Sequence, residues 1–360
     1  MANQTQIQWA HSTTNPVMGC DGCELYPSVA QIRRLILLIV CSHGADAAAL
    51  STLLDALLAP SAQGVKLRLG EIALRLAEAV AVGDKGWRER VAKEIEAEVS
   101  KLYVCYAASL HRFFNASGKR AGYAPSFDEP TVFSGRVAKA SCLPSPSGKE
   151  IADKPWLLGY RRLIFISDMG DALSRNISFD FLLAQVIRPV ASDAGRRHIW
   201  FWLTKRPARM AEFSAWLAER AVAWPDNLVA MTTVTSQQTV GRIAALQKVR
   251  AKFRGLSLEP LWGHVDLPLD GIDWVIVGGQ SGANAQPFDL TWASSIRDDC
   301  RRAGVPFFFK QLGRTPVIGH TPISLKDKHG GNWSEWPEDL RIREVPLAWR
   351  LVSRDWTGGP

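Results

Sequence analysis

The tightest constraint on the fold lies between residues 161 and 313, where short continuous apolar runs alternate with amphipathic stretches. The segments "RRLIFISD" (161–168), "HIWFWLTKRP" (198–207), "NLVAMTTV" (227–234), "RGLSLEP" (254–260), "DWVIVGGQSG" (273–282) and "PFFFKQLG" (306–313) have the length and apolar continuity of buried strands. Between them, "SFDFLLAQVIRPVA" (178–191), "ARMAEFSAWLAERA" (208–221), "SQQTVGRIAALQKVRA" (236–251) and "TWASSIRDDCRRAG" (291–304) carry apolar residues at helical spacing. Strands that are apolar throughout and joined through helices run parallel and are covered on both faces. With a strand over Thr5–Trp9 and another near 130–137, six to eight strands are expected. That favours an α/β fold of the full or partial TIM-like (β/α) barrel type over an open doubly wound sheet. No Gly-x-Gly-x-x-Gly follows the first strand, so the dinucleotide-binding fingerprint is missing.

The rhythm is interrupted once. From about Val29 to Ser100 the chain becomes rich in Ala, Leu and Glu, with segments such as "WRERVAKEIEAEVSKL" at three- and four-residue apolar spacing. The expected organisation is a first strand and Cys loop over 1–23, an inserted helical subdomain over 24–104, the rest of the barrel over 105–313, and an irregular wrap rich in Pro, Gly and Trp over 314–360. The start, "MANQTQIQW", lacks the order of a signal peptide, and the longest apolar run, Leu35 to Cys41, is too short to span a bilayer. The expectation is a cytoplasmic protein.

That compartment shapes the reading of "TTNPVMGCDGCELYPS" (13–28), which sets Cys20 and Cys23 two residues apart in a Gly-rich loop. Stable disulfides are rare in a reducing cytosol, and close thiols there are more often metal ligands or redox groups. Two thiolates do not complete a tetrahedral site, so further ligands are needed. Of the four other cysteines, Cys105 in "LYVCYAASLHRFF" is the best third, because it begins a helix just after the insertion ends; Cys300 has the setting of a packing thiol. No second Cys-x-x-Cys or His-x-x-x-His supplies a fourth ligand. From spacing alone, structural zinc and a [4Fe–4S] cluster with one open iron stand level. His11, Asn15 and Tyr106 lie near the cysteines, with loop structure as the expectation for each.

In β/α barrels the chemistry sits at the C-terminal ends of the strands. Here those ends are Ser167-Asp168, Thr204-Lys205-Arg206, Thr235-Ser236, Glu259-Pro260, Gly278-Gly279-Gln280-Ser281-Gly282 and Lys310-Gln311. Every apolar strand turns polar at the same end, and the Cys loop opens on that end too. Asp168 and Glu259 can accept hydrogen bonds from an amine or a ribose. Lys205 and Arg206 can hold a carboxylate or a phosphate, and Lys310 can do likewise or pair with a carboxylate. Gly278 and Gly279 allow a backbone to come close to a ligand.

Taken end to end, "IQW…TTNPVMGC" (7–20), "CYA" (105–107), "LTKRPARM" (203–210), "LSLEPLWGHVDL" (256–267), "IDWVIVGGQSG" (272–282) and "CRRAGVPFFFKQLG" (300–313) resemble, in order, the phage-type radical-SAM-like three-Cys-motif proteins, distantly similar to spore photoproduct lyase. The resemblance implies a barrel of the radical SAM type. It implies that Cys20, Cys23 and Cys105 hold a [4Fe–4S] cluster on which S-adenosylmethionine (SAM) is cleaved to a 5′-deoxyadenosyl radical. With that cofactor, the strand-end residues Asp168, Thr204, Lys205, Arg206, Ser236, Glu259, Gly278, Gly279, Gln280, Ser281 and Lys310 are the expected cofactor-binding positions, from their place at the mouth and their residue types. Members of the group keep the third cysteine in a Cys-x-x-Cys-Tyr-Ala run; here residues 24–104 split it off. Their usual "GGESG" is "GGQSG" here, with Gln280 in place of a carboxylate.

The formal net charge of +8 favours a polyanionic partner. With the phage context of the resemblance, it makes DNA the expected partner. The expected activity is modification or rearrangement of a nucleobase, for instance a hypermodified thymine, by an isomerase- or lyase-type reaction. Two alternatives remain: a zinc-stabilised nucleic-acid-binding protein without redox chemistry, and a radical SAM enzyme acting on a protein or small molecule. The 14 tryptophans can supply stacking surfaces, although Trp is a core residue by default.

Overall fold

The computed structural model describes residues 7–23, 25–26, 105–282, 285–319 and 321–351, with the backbone of 3–4 and isolated positions between 69 and 95. Most of the expected helical insertion therefore lies outside the described residues, as do Cys41, Thr5 and Gln6. The chain forms two compact units: Gly19–Glu129, and Met1–Met18 together with Pro130–Pro360. The first is wider than the 24–104 that composition marks off, because the Cys loop and the chain after Cys105 pack with each other.

In the Gly19–Glu129 unit, the ring of Tyr26 meets Phe127 edge-on at 5.1 Å, and its hydroxyl donates to Asp128 at 2.8 Å. Helix α1 (Tyr106–Phe114) buries Ala107, Ala108 and His111. His111 Nε2 and Asn115 Nδ2 both lie 2.8 Å from the Ala124 carbonyl, which folds the 115–124 loop back onto the helix.

The other unit is built on one sheet of eight strands, in the order β1-β2-β5-β6-β7-β8-β9-β11. Its seven parallel members are β2 (Ser12–Thr14), β5 (Leu163–Ile166), β6 (Ile199–Thr204), β7 (Leu228–Thr233), β8 (Arg254–Leu258), β9 (Trp274–Gly278) and β11 (Phe307–Gln311). They form a partial β/α barrel. β1 (Asn3–Gln4) adds antiparallel at the edge.

The first parallel strand is thus Ser12–Thr14 rather than Thr5–Trp9, whose described part is a turn. Trp9 explains the shift: its ring is spent on the sheet face, 4.8 Å from Phe165 and 5.6 Å from Phe201. The segment near 130–137 also lies off the barrel. Thr131–Val132 (β4) pairs antiparallel with Val17–Met18 (β3), and helix α2 (Arg136–Ser141) follows.

The apolar runs still obey the two-residue period of a strand, because each face packs a different partner. Ile164, Trp200, Trp202, Leu228, Ala230, Val275, Val277, Phe307 and Phe309 meet the covering helices. Their neighbours Leu163, Phe165, Phe201, Val229, Met231, Trp274, Ile276 and Phe308 form a second core with Trp9 and Trp349. Burying one such aromatic or branched side chain contributes about 1.5–3 kcal/mol. Seven of the tryptophans, including Trp200, Trp202, Trp274, Trp336 and Trp349, are buried and offer no stacking surface. The C-terminal wrap earns its place the same way, through Trp336, Val345 and Trp349.

The helices begin and end where their sequences dictate. Helix α3 (Gly148–Asp153) starts on a capping box, Ser147 and Glu150. Of the long helices, Pro207 opens Pro207–Glu219, and Asp289 caps Leu290–Ala303, which stops at Gly304 in the left-handed region (φ +67°). Among the described residues no helix is long and apolar enough to cross a membrane.

Candidate functional site

The three cysteines sit in the Gly19–Glu129 unit. Cys20 is buried, and its N–H donates to Phe127 O at 2.8 Å. Gly19 makes this approach feasible, because a Cβ there would lie 2.8 Å from that same oxygen at φ +94°. Cys23 and Tyr26 exchange backbone hydrogen bonds of 2.9 and 3.0 Å, turning the chain back just past the Cys-x-x-Cys. Cys105 then donates its N–H to Leu25 O at 3.1 Å. The two ends of the 24–104 stretch therefore meet, and the backbone of the third cysteine returns to the hairpin that carries the second. Cys23 and Cys105 are half-buried. Among the described residues no group of three His, Cys, Asp or Glu side chains is assembled to hold a metal ion. Cys300 is a packing thiol of the helix-covered core, and burial, then Asp299 and Glu344, pushes it up to about 12. Cys142 is exposed at the end of α2.

The strand-end residues sit at the C-terminal ends of the barrel strands, where several of them join three hydrogen-bonded groups. The first joins β2 to β5. Asn15 donates to Asp168 Oδ1 at 2.6 Å and accepts from Met169 N at 2.9 Å. Burial raises the Asp168 carboxyl from 3.8 to about 6, against the opposing hydrogen bonds from Asn15 and Thr13. Beside it, Ser167 holds a left-handed backbone (φ +72°), unusual for a residue with a side chain. The hydroxyls of Ser167 and Thr14 are buried and have no hydrogen-bond partner among the described residues. Unsatisfied buried hydroxyls cost free energy unless something supplies a partner.

The second group is a hub that reading the sequence missed. Asp171, buried, accepts from Thr204 Oγ1 at 3.0 and 2.9 Å, from Lys205 N at 3.1 Å and from Arg206 Nη1 at 3.1 Å. Thr204 and Arg206 thus brace the loop after β5. The only hint was the second carboxylate in "SDMGD", three residues after Asp168.

The third group spans β8, β9 and β11. Lys310 pairs with Glu259, and Gln311 Nε2 reaches both Glu259 Oε1 (3.4 Å) and Gly279 O (3.0 Å). The peptide bond between Glu259 and Pro260 is cis. Of the two readings of Lys310, the carboxylate pairing is the one observed.

A Cβ on Gly279 would lie 2.3 Å from Leu312 O, so the chain itself makes the close approach there; at Gly278 the nearest atoms stand at 3.5 Å. Gln280 is buried, and its side-chain oxygen accepts from Trp262 Nε1 (3.0 Å) and Gln286 N (3.3 Å). An amide serves these neutral donors without the desolvation cost a carboxylate would carry. Ser281 is exposed and Ser236 buried.

A family model described as "Protein of unknown function (DUF5131)" matches residues 100–336. No curated protein and no solved structure matches the chain.

Proposed function

The chain belongs to the DUF5131 family of proteins of unknown function, and within it we propose a radical SAM enzyme that modifies or rearranges a nucleobase in DNA. One observation carries the reading: the Cys105–Leu25 backbone hydrogen bond, which returns the third cysteine to the Cys-x-x-Cys hairpin across some eighty intervening residues. A long insertion whose ends meet costs little, since loop-closure entropy grows slowly with length.

Three cysteines as the donor set suit thiolate ligation of an iron–sulfur group. Cys20, Cys23 and Cys105 would hold the [4Fe–4S] cluster. In the barrel unit taken by itself, the orphaned Ser167 and Thr14 hydroxyls and the Asp168 carboxyl suit a ligand that bears hydroxyl and amine groups, as SAM does. Bound to the chain, the cluster and SAM would supply radical chemistry at an unactivated carbon. The protein's own share is binding, orientation and exclusion of water. Asp168 accepts a donor at the mouth, and Asn15 fixes its orientation. Asp171 braces Thr204 and Arg206, and the Lys310–Glu259 pair holds β8 against β11. Nucleic acid as substrate rests on the +8 net charge.

The test is anaerobic reconstitution with iron and sulfide, followed by metal analysis and an optical spectrum. A brown protein with about four irons is expected, lost in Cys20→Ala, Cys23→Ala and Cys105→Ala and kept in Cys142→Ala. A colourless protein holding one zinc would sink the reading and leave the zinc-stabilised binder.

A further inference from the structure

Helix α1 exposes what the barrel hides. Phe113 is 79% exposed, Tyr106 47% and Phe114 41%. Those three make up a large part of the big apolar side chains found at the surface among the described residues, yet they fall within nine residues of chain. They are all aromatic, whereas scattered exposed apolar residues are ordinary and of mixed type. Phe113 and Phe114 pack ring to ring at 5.1 Å, edge-on. The loop after the helix brings Arg120 over the Phe114 ring (5.0 Å) and over Tyr123 (4.8 Å), and Arg120 also donates to Phe114 O at 3.2 Å. Lys119 stands exposed next to it.

Charge points the same way. From Tyr106 to Phe127 there is no Asp or Glu, while Arg112, Lys119 and Arg120 are all cationic and exposed. The patch is held rigidly by the His111 and Asn115 bonds to Ala124 and by Arg120 N donating to Asn115 Oδ1 at 2.7 Å. Aromatic faces interleaved with cations, free of acidic groups, are complementary to unpaired bases on a phosphate chain. A protein partner of ordinary composition would not call for a stretch from Tyr106 to Phe127 that carries cations and no carboxylate.

We infer that α1 and the 115–124 loop form a stacking platform for single-stranded nucleic acid: a base lies on Phe113, Lys119 meets a phosphate, and Arg120 stiffens the Phe114–Tyr123 edge. The inference deepens the nucleic-acid part of the reading above and rests on it. It uses no residue of the cysteine hairpin or the barrel mouth.

The experiment is fluorescence anisotropy of the full chain with a labelled 20-nucleotide thymidine oligonucleotide, across a salt series. Phe113→Ala and Lys119→Ala are compared with two controls elsewhere on the surface, Arg302→Ala for charge and Leu347→Ala, 71% exposed, for apolar area. Phe113 is exposed enough for its variant to fold, which a thermal melt checks. Phe113→Ala is expected to weaken binding about tenfold. Lys119→Ala should lower the log–log salt slope by about 0.7. Both controls should match wild type. If wild type binds and Phe113→Ala binds equally well, the platform is refuted and the nucleic-acid reading survives. If wild type shows no salt-dependent binding, both fail; sedimentation that then showed a dimer lost in Phe113→Ala would assign the patch to contact between copies.

Discussion

Strand β5 begins and ends on charged chemistry, and its two ends are built to opposite rules. At its start Arg162, 5% exposed, donates to both Glu150 oxygens (2.7 and 2.9 Å), to Ser12 Oγ (2.8 Å) and to Pro144 O (2.6 Å). Burial works against the Glu150 charge, yet the Arg162 and Ser147 hydrogen bonds hold it at about 2. Nearby, burial first, then Arg162 and Lys154, keeps His11 neutral, near 3, with its Nδ1 accepting from Leu163 N at 2.9 Å. At the other end of the same strand come a left-handed Ser167 with an orphaned hydroxyl, the orphaned hydroxyl of Thr14 on the neighbouring β2, and a carboxyl raised to about 6. In barrels the N-terminal face serves stability and the C-terminal face serves chemistry. Here the contrast is visible along four residues of strand: the floor pairs its carboxylate with a buried guanidinium, whereas the mouth holds its buried carboxyl with the Asn15 amide, and orphaned ring and hydroxyl groups (His11 Nε2 at the floor, Ser167 and Thr14 at the mouth) occur at both.

The sharpest way to break this comparison is at the floor. Arg162→Ala leaves Glu150 and Ser12 without their donor and should cost about 3–5 kcal/mol, read as a lower denaturation midpoint with unchanged m-value. It should also flatten the acid limb. The folded pKa of Glu150 lies below its ordinary 4.5, so wild type loses stability as pH falls from about 4.5 to about 2. An Arg162→Ala protein that keeps wild-type stability would dissolve the contrast.

Gly279→Ala comes next. Its Cβ would meet Leu312 O and Phe288, so a loss of about 3 kcal/mol is expected from overpacking. A wild-type melting curve for this variant would mean that the β9 end has room for a ligand after all.

Asp168→Asn should move the other way, gaining about 1–3 kcal/mol at pH 7. The folded pKa of Asp168 lies above its unfolded value, so wild type gives up stability as pH rises from about 4 to about 6, and the variant does not. Chemical denaturation at pH 4 and pH 7 checks this. The same variant should lose SAM cleavage in the reconstituted protein, the pairing of gained stability with lost activity that marks a functional strain. The smallest effect is Ser167→Gly, which frees the left-handed backbone and should gain about 0.5 kcal/mol. A loss would show that Ser167 is held there by a contact.

Legibility followed range. The strands between 161 and 313 were readable because burial on both faces leaves continuous apolar runs, and the polar strand ends pointed to the mouth. Pairing of those ends was not readable. Lys310 with Glu259, and Thr204 and Arg206 with Asp171, join residues more than thirty positions apart. Asn15, which reads as a loop residue, is what fixes Asp168. The first strand was misplaced because Thr5–Trp9 alternates like a strand, while Trp9 is worth more packed on the aromatic core than lined up in the sheet.

By itself, then, the sequence determined a parallel sheet covered by helices, a basic chain, and three cysteines separated by an interruption. These follow from local composition and period, which need no partner to be read. The tertiary structure alone decided which carboxylates face cations and which titrate near neutrality, that Gly279 serves the chain's own packing, that Cys105 comes back to the Cys-x-x-Cys hairpin, and that the aromatics of α1 stay outside. Each of these depends on what distant segments bring into contact, because a side chain's desolvation and hydrogen bonding are set by its neighbours in space.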